Sequence, residues 1–253
     1  MIELFEYSLS GLDLAALVLV ALLIGMGKTG IAGAGMIAVP VLALIFGGKA
    51  STGLLLPILI YADLMAVSWY HRHANWQHLR RLLPWALLGV VFGTLTGELI
   101  DEASFIRLMA LIIFASLALM IWQERQPAQG AAALPESKWF VYAIGVLGGF
   151  TTMVGNLAGP IMALYLLAQR FPKNEFIGTA AWFFLLINLL KVPFHIFAWH
   201  TISLNSLMLD TILLPAIALG AWLGVVIVQR IPESAYRYFV ILMTAVAALA
   251  MLA

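Results

Sequence analysis

Apolar blocks long enough to cross a bilayer follow one another along almost the whole chain. They run roughly from Leu12 to Phe46, Ser51 to Tyr70, Leu82 to Leu99, Ala103 to Trp122, Trp139 to Ala168, Phe176 to Trp199, Leu204 to Val228 and Ser234 to Ala253. About 20 apolar residues span the ~30 Å hydrocarbon core as a helix, and a helix satisfies its own backbone where there is no water. The blocks are continuous rather than alternating, which excludes barrel strands. With 64% apolar and 10% charged residues and a mean hydropathy of +1.04, no soluble domain fits between them. The chain reads as an all-α polytopic membrane protein whose main partner is the lipid bilayer. Its formal charge of +1 gives no sign of nucleic-acid binding, and the absence of cysteine excludes disulfides and thiolate metal sites. No cofactor and no metal are expected. The opening "MIELFEYSLSGLD" carries three acids and no Lys or Arg, unlike a secretory signal, so the first apolar block is expected to be retained.

The sequence repeats. Placing Pro40 on Pro160, 120 residues on, aligns "GAGMIAVP" with "VGNLAGP" and brings Gly35 onto Gly155. Further along, "LPWALLGVVFG" lies on "LPAIALGAWLG" at a spacing of 131, with Pro84 on Pro215, Gly89 on Gly220 and Gly93 on Gly224. The polar, Pro- and Gly-containing stretch "QERQPAQGAAALPESK" separates the halves. Residues 1–122 therefore form a first transmembrane repeat, 123–137 a linker and 138–253 a second repeat. Each is expected to be a broken, re-entrant helical hairpin followed by three transmembrane helices.

Loop charges orient the halves. "HRHANWQHLRR" carries Arg72, Arg80 and Arg81 without an acid and is expected on the cytoplasmic side, whereas "GELIDEASF" is acidic and is expected outside. In the second half the bias reverses: "WHTISLNS" has no Lys or Arg, while "QRIPESAYR" has Arg230 and Arg237. Similar halves with opposite charge asymmetry predict inverted-topology repeats, with both termini periplasmic and the linker cytoplasmic.

The Trp139 to Ala168 block must then enter and return on one side. Its limbs, Trp139 to Thr152 and Gly159 to Gln169, have fourteen and eleven residues, or roughly 21 and 17 Å, so each is expected to reach about the middle of the membrane. The first half has the same form, with "GKTGIAG" and "TTMVGN" as the two apices. Its glycines let two backbones meet and leave N–H groups free at the start of the second limb, whose positive dipole end joins Lys28 in an anion site near the midplane. Pro40 and Pro160 suit the first turns of the second limbs.

The paired "GxGxxxVP"-like segments, the "P-x4-G-x3-G" helices and the two-repeat layout resemble the TauE/SafE sulfite exporter family of bacterial membrane transporters. The resemblance implies a multi-pass protein of the bacterial inner membrane that moves small sulfur-containing anions such as sulfite or organosulfonates. The second repeat departs from the glycine pattern, with Thr151, Thr152 and Asn156 at its apex.

Individual residues have plainer roles beside the functional ones. Lys28 can snorkel or cap carbonyls, but a lysine so deep is costly without a partner, which favours an anion contact. Thr29, Thr151, Thr152 and Asn156 can cap helix ends, line the ligand, or both. Gly33, Gly35 and Gly155 complete the apices. Lys191 and His195, four apart on one helix face with Asn188 three residues before Lys191, make either an interfacial pair or a second cationic wall. Asp63, a lone intramembrane acid, is the candidate for ion coupling, as the partner of a lysine or as a proton carrier. His71, His73, His78 and His200 are expected in loops and solvated.

The leading reading is a secondary transporter, an exporter, working by alternating access around a midplane site. An anion channel built from two re-entrant hairpins is the alternative. "GKT" lacks the spacing and the preceding strand of a phosphate-binding loop, and no nucleophile–base pair points to an enzyme. The partner expected at the site is a small anionic substrate; a homodimer remains open.

Overall fold

A computed structural model describes residues 2–31, 33–125 and 138–232, and the single positions 235, 236, 238, 239 and 242. Most of the expected linker and of the last apolar block lie outside the described residues.

The chain opens with a small hairpin of β1 (Ile2–Leu4) and β2 (Tyr7–Leu9). Phe5 and Glu6 form its turn with φ of 49° and 72°, the paired positive values that suit the strand twist. Strands this short leave no periodic signal, and the sequence did not announce them. Ser10 then starts helix α1 (Gly11–Lys28) through a capping box: the Asp13 N–H donates to its hydroxyl at 3.1 Å and its own N–H donates to the Asp13 carboxylate at 2.8 Å.

After a break come α2 (Ala38–Phe46), α3 (Gly48–Tyr70), a 3₁₀ turn at His71–His73, α4 (Trp76–Leu99) and α5 (Glu102–Arg125). The N-terminus of α3 is tied down by Glu102, whose carboxylate accepts from the Gly48 N–H at 2.7 Å. The second half continues with α6 (Lys138–Gly155), α7 (Gly159–Ala168), α8 (Lys173–Phe197), α9 (Leu204–Ile212) and α10 (Leu214–Gln229). Pro40 and Pro160 do fall in the first turns of α2 and α7.

Two expectations are corrected. The first limbs of the hairpins, α1 and α6, have 18 residues each, or about 27 Å, and nearly match the hydrocarbon core. The second limbs, of 9 and 10 residues, are short. Helix α6 runs on to Gly155, so Thr151, read as an apex residue, stays helical, its hydroxyl donating back to the Leu147 carbonyl at 2.8 Å. The second correction concerns Leu204 to Val228, which is a pair of helices bent by 49° rather than one. Pro215 is the second residue of α10, where its missing N–H is no loss, so it begins a helix instead of continuing one.

Four helices are long and apolar enough to cross a membrane, or five when the bent pair counts as one span, among the described residues. Leu12, Leu44, Leu99 and Trp139 project outward with at least 79% of their surface exposed, a face that suits lipid and not water.

Glycine seams lock the helices. Helix α4 packs on α6, and α10 packs on α1, through backbones with no room for a side chain. A Cβ on Gly89 would strike the Val146 carbonyl, and one on Gly220 the Leu22 carbonyl. Gly149 presses on the Ala86 carbonyl as Gly25 presses on that of Ile217. The contacts recur at two constant spacings, 131 between α4 and α10 (220 − 89) and 124 between α1 and α6 (149 − 25). Helices α3 and α8 face each other, with Gly53 against Thr201 and Gly178 against Tyr70 and His73.

Candidate functional site

Each first limb ends in a break, and the two breaks meet. Beyond Lys28 the chain descends through successive tight turns, with Gly30 and Gly33 at φ of 126° and 87°. The N–H groups of Ala34, Met36, Ala38 and Val39 donate to the carbonyls three residues back, at 3.0–3.3 Å. Those amides are therefore spent on turns, contrary to the expectation of free donors at the start of the second limb. A sequence with five glycines in this stretch leaves the backbone free to fold back on itself, and it does. The second break is shorter, with Asn156 in the left-handed region at φ 56°.

A cavity of about 140 Å³ lies between the breaks. This is roughly ten times the ~10–15 Å³ that admits one water. Its polar wall comprises Lys28, Gly33 and Gly35 from the first break, Thr152 and Asn156 from the second, and Asn188 from α8. Met162, Phe176 and Phe184 belong to its apolar wall. The Lys28 ammonium stands 4.0 Å from the centre of the Phe184 ring and 2.9 Å from Asp63 Oδ1.

Asp63 is fully buried in α3 and lies behind Lys28. Its other oxygen accepts from the Asn188 amide at 2.7 Å, and the Asn188 carbonyl oxygen accepts in turn from Lys191 at 3.1 Å. Lys191, also fully buried, donates to the Thr152 carbonyl at 2.9 Å, to the Thr152 hydroxyl at 3.2 Å and to Asn156 Oδ1. One unbroken polar network thus joins both breaks across α3 and α8. The network holds two lysines and one carboxylate, so when fully ionised it carries one net positive charge.

Register explains the asymmetry between the halves. At the spacing of 124 seen for α1 and α6, Lys28 matches Thr152. At the spacing of 125 that relates Gly53 to Gly178, Asp63 matches Asn188 and Lys191 matches Ala66. An ion pair in one half stands opposite a neutral pair in the other.

The remaining residues singled out from sequence fall outside the cavity lining. The Thr29 hydroxyl donates to the Gly25 carbonyl at 3.0 Å, which is a helix-end role, and Thr151 does likewise on α6. Gly155 closes α6 with its hydrogen side against Leu157. His195 lies a turn beyond Lys191, with Nδ1 2.8 Å from the Thr201 hydroxyl and its ring edge-on to Trp199. His78 is not a solvated loop residue: it sits in α4, 2.6 Å from the Tyr165 hydroxyl and edge-on to Phe171. His71, His73 and His200 are exposed.

Two contributors, Asn188 and Tyr236, were not counted among the site residues, nor was Asp210, a buried acid outside the cavity lining. Asn188 bridges Asp63 to Lys191, and only its spacing from Lys191 was visible beforehand. The Tyr236 hydroxyl donates to the Gly30 carbonyl at 3.1 Å from the far end of the chain, with no local signal. Asp210, buried in α9, has no hydrogen-bond partner for either carboxylate oxygen among the described residues. An acid inside an apolar run was the available signal for it, as it was for Asp63.

A predominantly helical, multi-pass membrane protein with a polar cavity between two interrupted helices belongs to the class of membrane transport proteins. The family model of the sulfite exporter TauE/SafE matches residues 17–251, and the chain belongs to that family. No curated protein and no solved structure matches it.

Proposed function

We propose that the protein is a secondary transporter that exports small sulfur-containing anions, sulfite or organosulfonates, across the bacterial inner membrane by alternating access about this cavity. The observation that carries the reading is the placement of the Lys28 ammonium on the wall of a cavity formed jointly by both helix breaks. An anion entering there competes with Asp63 for Lys28. A proton taken up by Asp63 releases the ammonium to the anion, which couples substrate binding to proton movement. The apolar wall excludes water and strengthens the contact.

The test is flux in proteoliposomes. With a pH gradient imposed, labelled sulfite or a short alkylsulfonate is expected to accumulate above its equilibrium level. Flux that stops at electrochemical equilibrium under every gradient would assign a channel instead.

The two halves, residues 1–122 and 138–253, are read as repeats of opposite orientation joined by a cytoplasmic linker. Matched seams at constant spacing support this reading, as does the reversal of loop charge. Topology reporters are expected to place the linker inside and the loop near residue 200 outside, with the C-terminus also outside. A cytoplasmic C-terminus would remove the inversion.

A further inference from the structure

Lys191 does not line the cavity, although it is a fully buried cation one residue away from groups that do. Its surroundings explain why. The ammonium sits among four oxygens: the Thr152 carbonyl, the Thr152 hydroxyl and the side-chain carbonyls of Asn156 and Asn188. All four are neutral, and no carboxylate lies within ion-pair distance of it among the described residues. The Asn156 backbone is held at φ 56°, and its amide N–H₂ donates to the Thr52 carbonyl at 3.3 Å, which leaves its oxygen turned to the lysine. A carbonyl exposed at an interrupted helix, a hydroxyl and two amide oxygens form the ligand set of a hard monovalent cation, not of an anion-binding lysine.

We propose that the second helix break is a cation site whose cation is built into the chain: the Lys191 ammonium fills a place that a free monovalent ion would otherwise occupy. The match of Lys191 to Ala66 supports this, since the first half has no such amine and instead carries its lysine at the break itself, paired with Asp63. The tethered charge ties α6 and the second break to α8 without an exchangeable ion. The second half therefore needs no free sodium or potassium, and the Lys28–Asp63 pair is left as the exchangeable charge of the network.

Lys191→Ala converts the tethered cation into a vacant cage open to small ions. In purified protein, with choline as the only added cation, this variant is expected to melt about 10 °C below the parent chain, because removing one partner of a buried polar cluster leaves the others unsatisfied. Ammonium or methylammonium chloride is expected to recover more than half of that loss, while the parent protein responds to neither. Lys191→Met, which fills the space but donates nothing, is expected to stay destabilised and unresponsive. The proposal is overturned if Lys191→Ala melts with the parent chain in choline, if choline and ammonium act alike, or if no small cation restores it. Should Lys191→Ala unfold on extraction, the yield of folded protein in ammonium against choline at matched ionic strength reads the same effect. No anionic substrate enters the measurement, so its failure and that of the transport reading are separable.

Discussion

Lys28→Met is expected to lower the stability of the protein sharply and to abolish stabilisation by sulfite or an alkylsulfonate, whereas Lys28→Met combined with Asp63→Asn is expected to recover stability but not binding. Lys28 is 15% exposed at the cavity and Asp63 is fully buried at 2.9 Å from it. Removing the ammonium strands a carboxylate with a single remaining amide donor from Asn188. Breaking a buried pair from one side costs about 3–5 kcal/mol, or roughly 10 °C in melting temperature for a chain of this size. Asparagine at position 63 removes the stranded charge, so the two substitutions are coupled and their effects are not additive. Binding behaves differently because the anion needs the ammonium itself. A charge-assisted contact contributes about 1.5–3 kcal/mol, which corresponds to a loss of affinity of roughly ten- to a hundredfold in the folded double variant. Thermal melts with and without ligand measure both terms. Full affinity in the double variant would show that Lys28 is a structural ion-pair partner and not an anion contact.

Neighbouring glycines of α6 are expected to respond in opposite ways. A Cβ at Gly149 has no space because the Ala86 carbonyl and Cα of α4 lie directly against it, and both are backbone atoms that cannot turn aside. Gly149→Ala must push α6 off α4 along the most closely packed seam in the fold, at a cost of about 3 kcal/mol or more. A Cβ at Gly148 meets nothing nearer than the Ile161 side chain at 4.0 Å. Gly148→Ala is expected to be neutral, or stabilising by up to about 1 kcal/mol through helix propensity. Gly25→Ala, against the Ile217 carbonyl, should reproduce the Gly149 effect on the α1–α10 seam. Melting temperatures of the three purified variants make the comparison, and equal losses at 148 and 149 would contradict the packing.

Much of this was legible beforehand. Apolar runs marked the helices, the paired Pro and Gly anchors marked the repeat, and a lysine among five glycines marked the first break. The glycines of "P-x4-G-x3-G", which anchored the repeat, are positions where helices pack closely. The four-residue difference between the spacing of 120 at Pro40 and Pro160 and that of 124 on the preceding limbs was not visible. It arises between the limbs: the first break, 29–37, is six residues longer than the second, 156–158, while α6 runs three residues beyond the match of Lys28 and α7 begins one residue after the match of Ala38. Insertions in an irregular segment carry no periodicity by which to register them.

In lipid, every backbone group must find its partner within its own helix, so the existence of the helices follows from local composition and the sequence alone determined it. The same condition makes a lone Lys28 or Asp63 conspicuous, and both were marked as functional from their setting. Their mutual pairing, the bridge through Asn188, the turning of Lys191 toward Thr152 and Asn156, and the exclusion of His195 from the cavity were decided only by tertiary structure. Which face of a helix meets which neighbour depends on small residues and single polar atoms brought together from distant parts of the chain, and no local pattern encodes those distances.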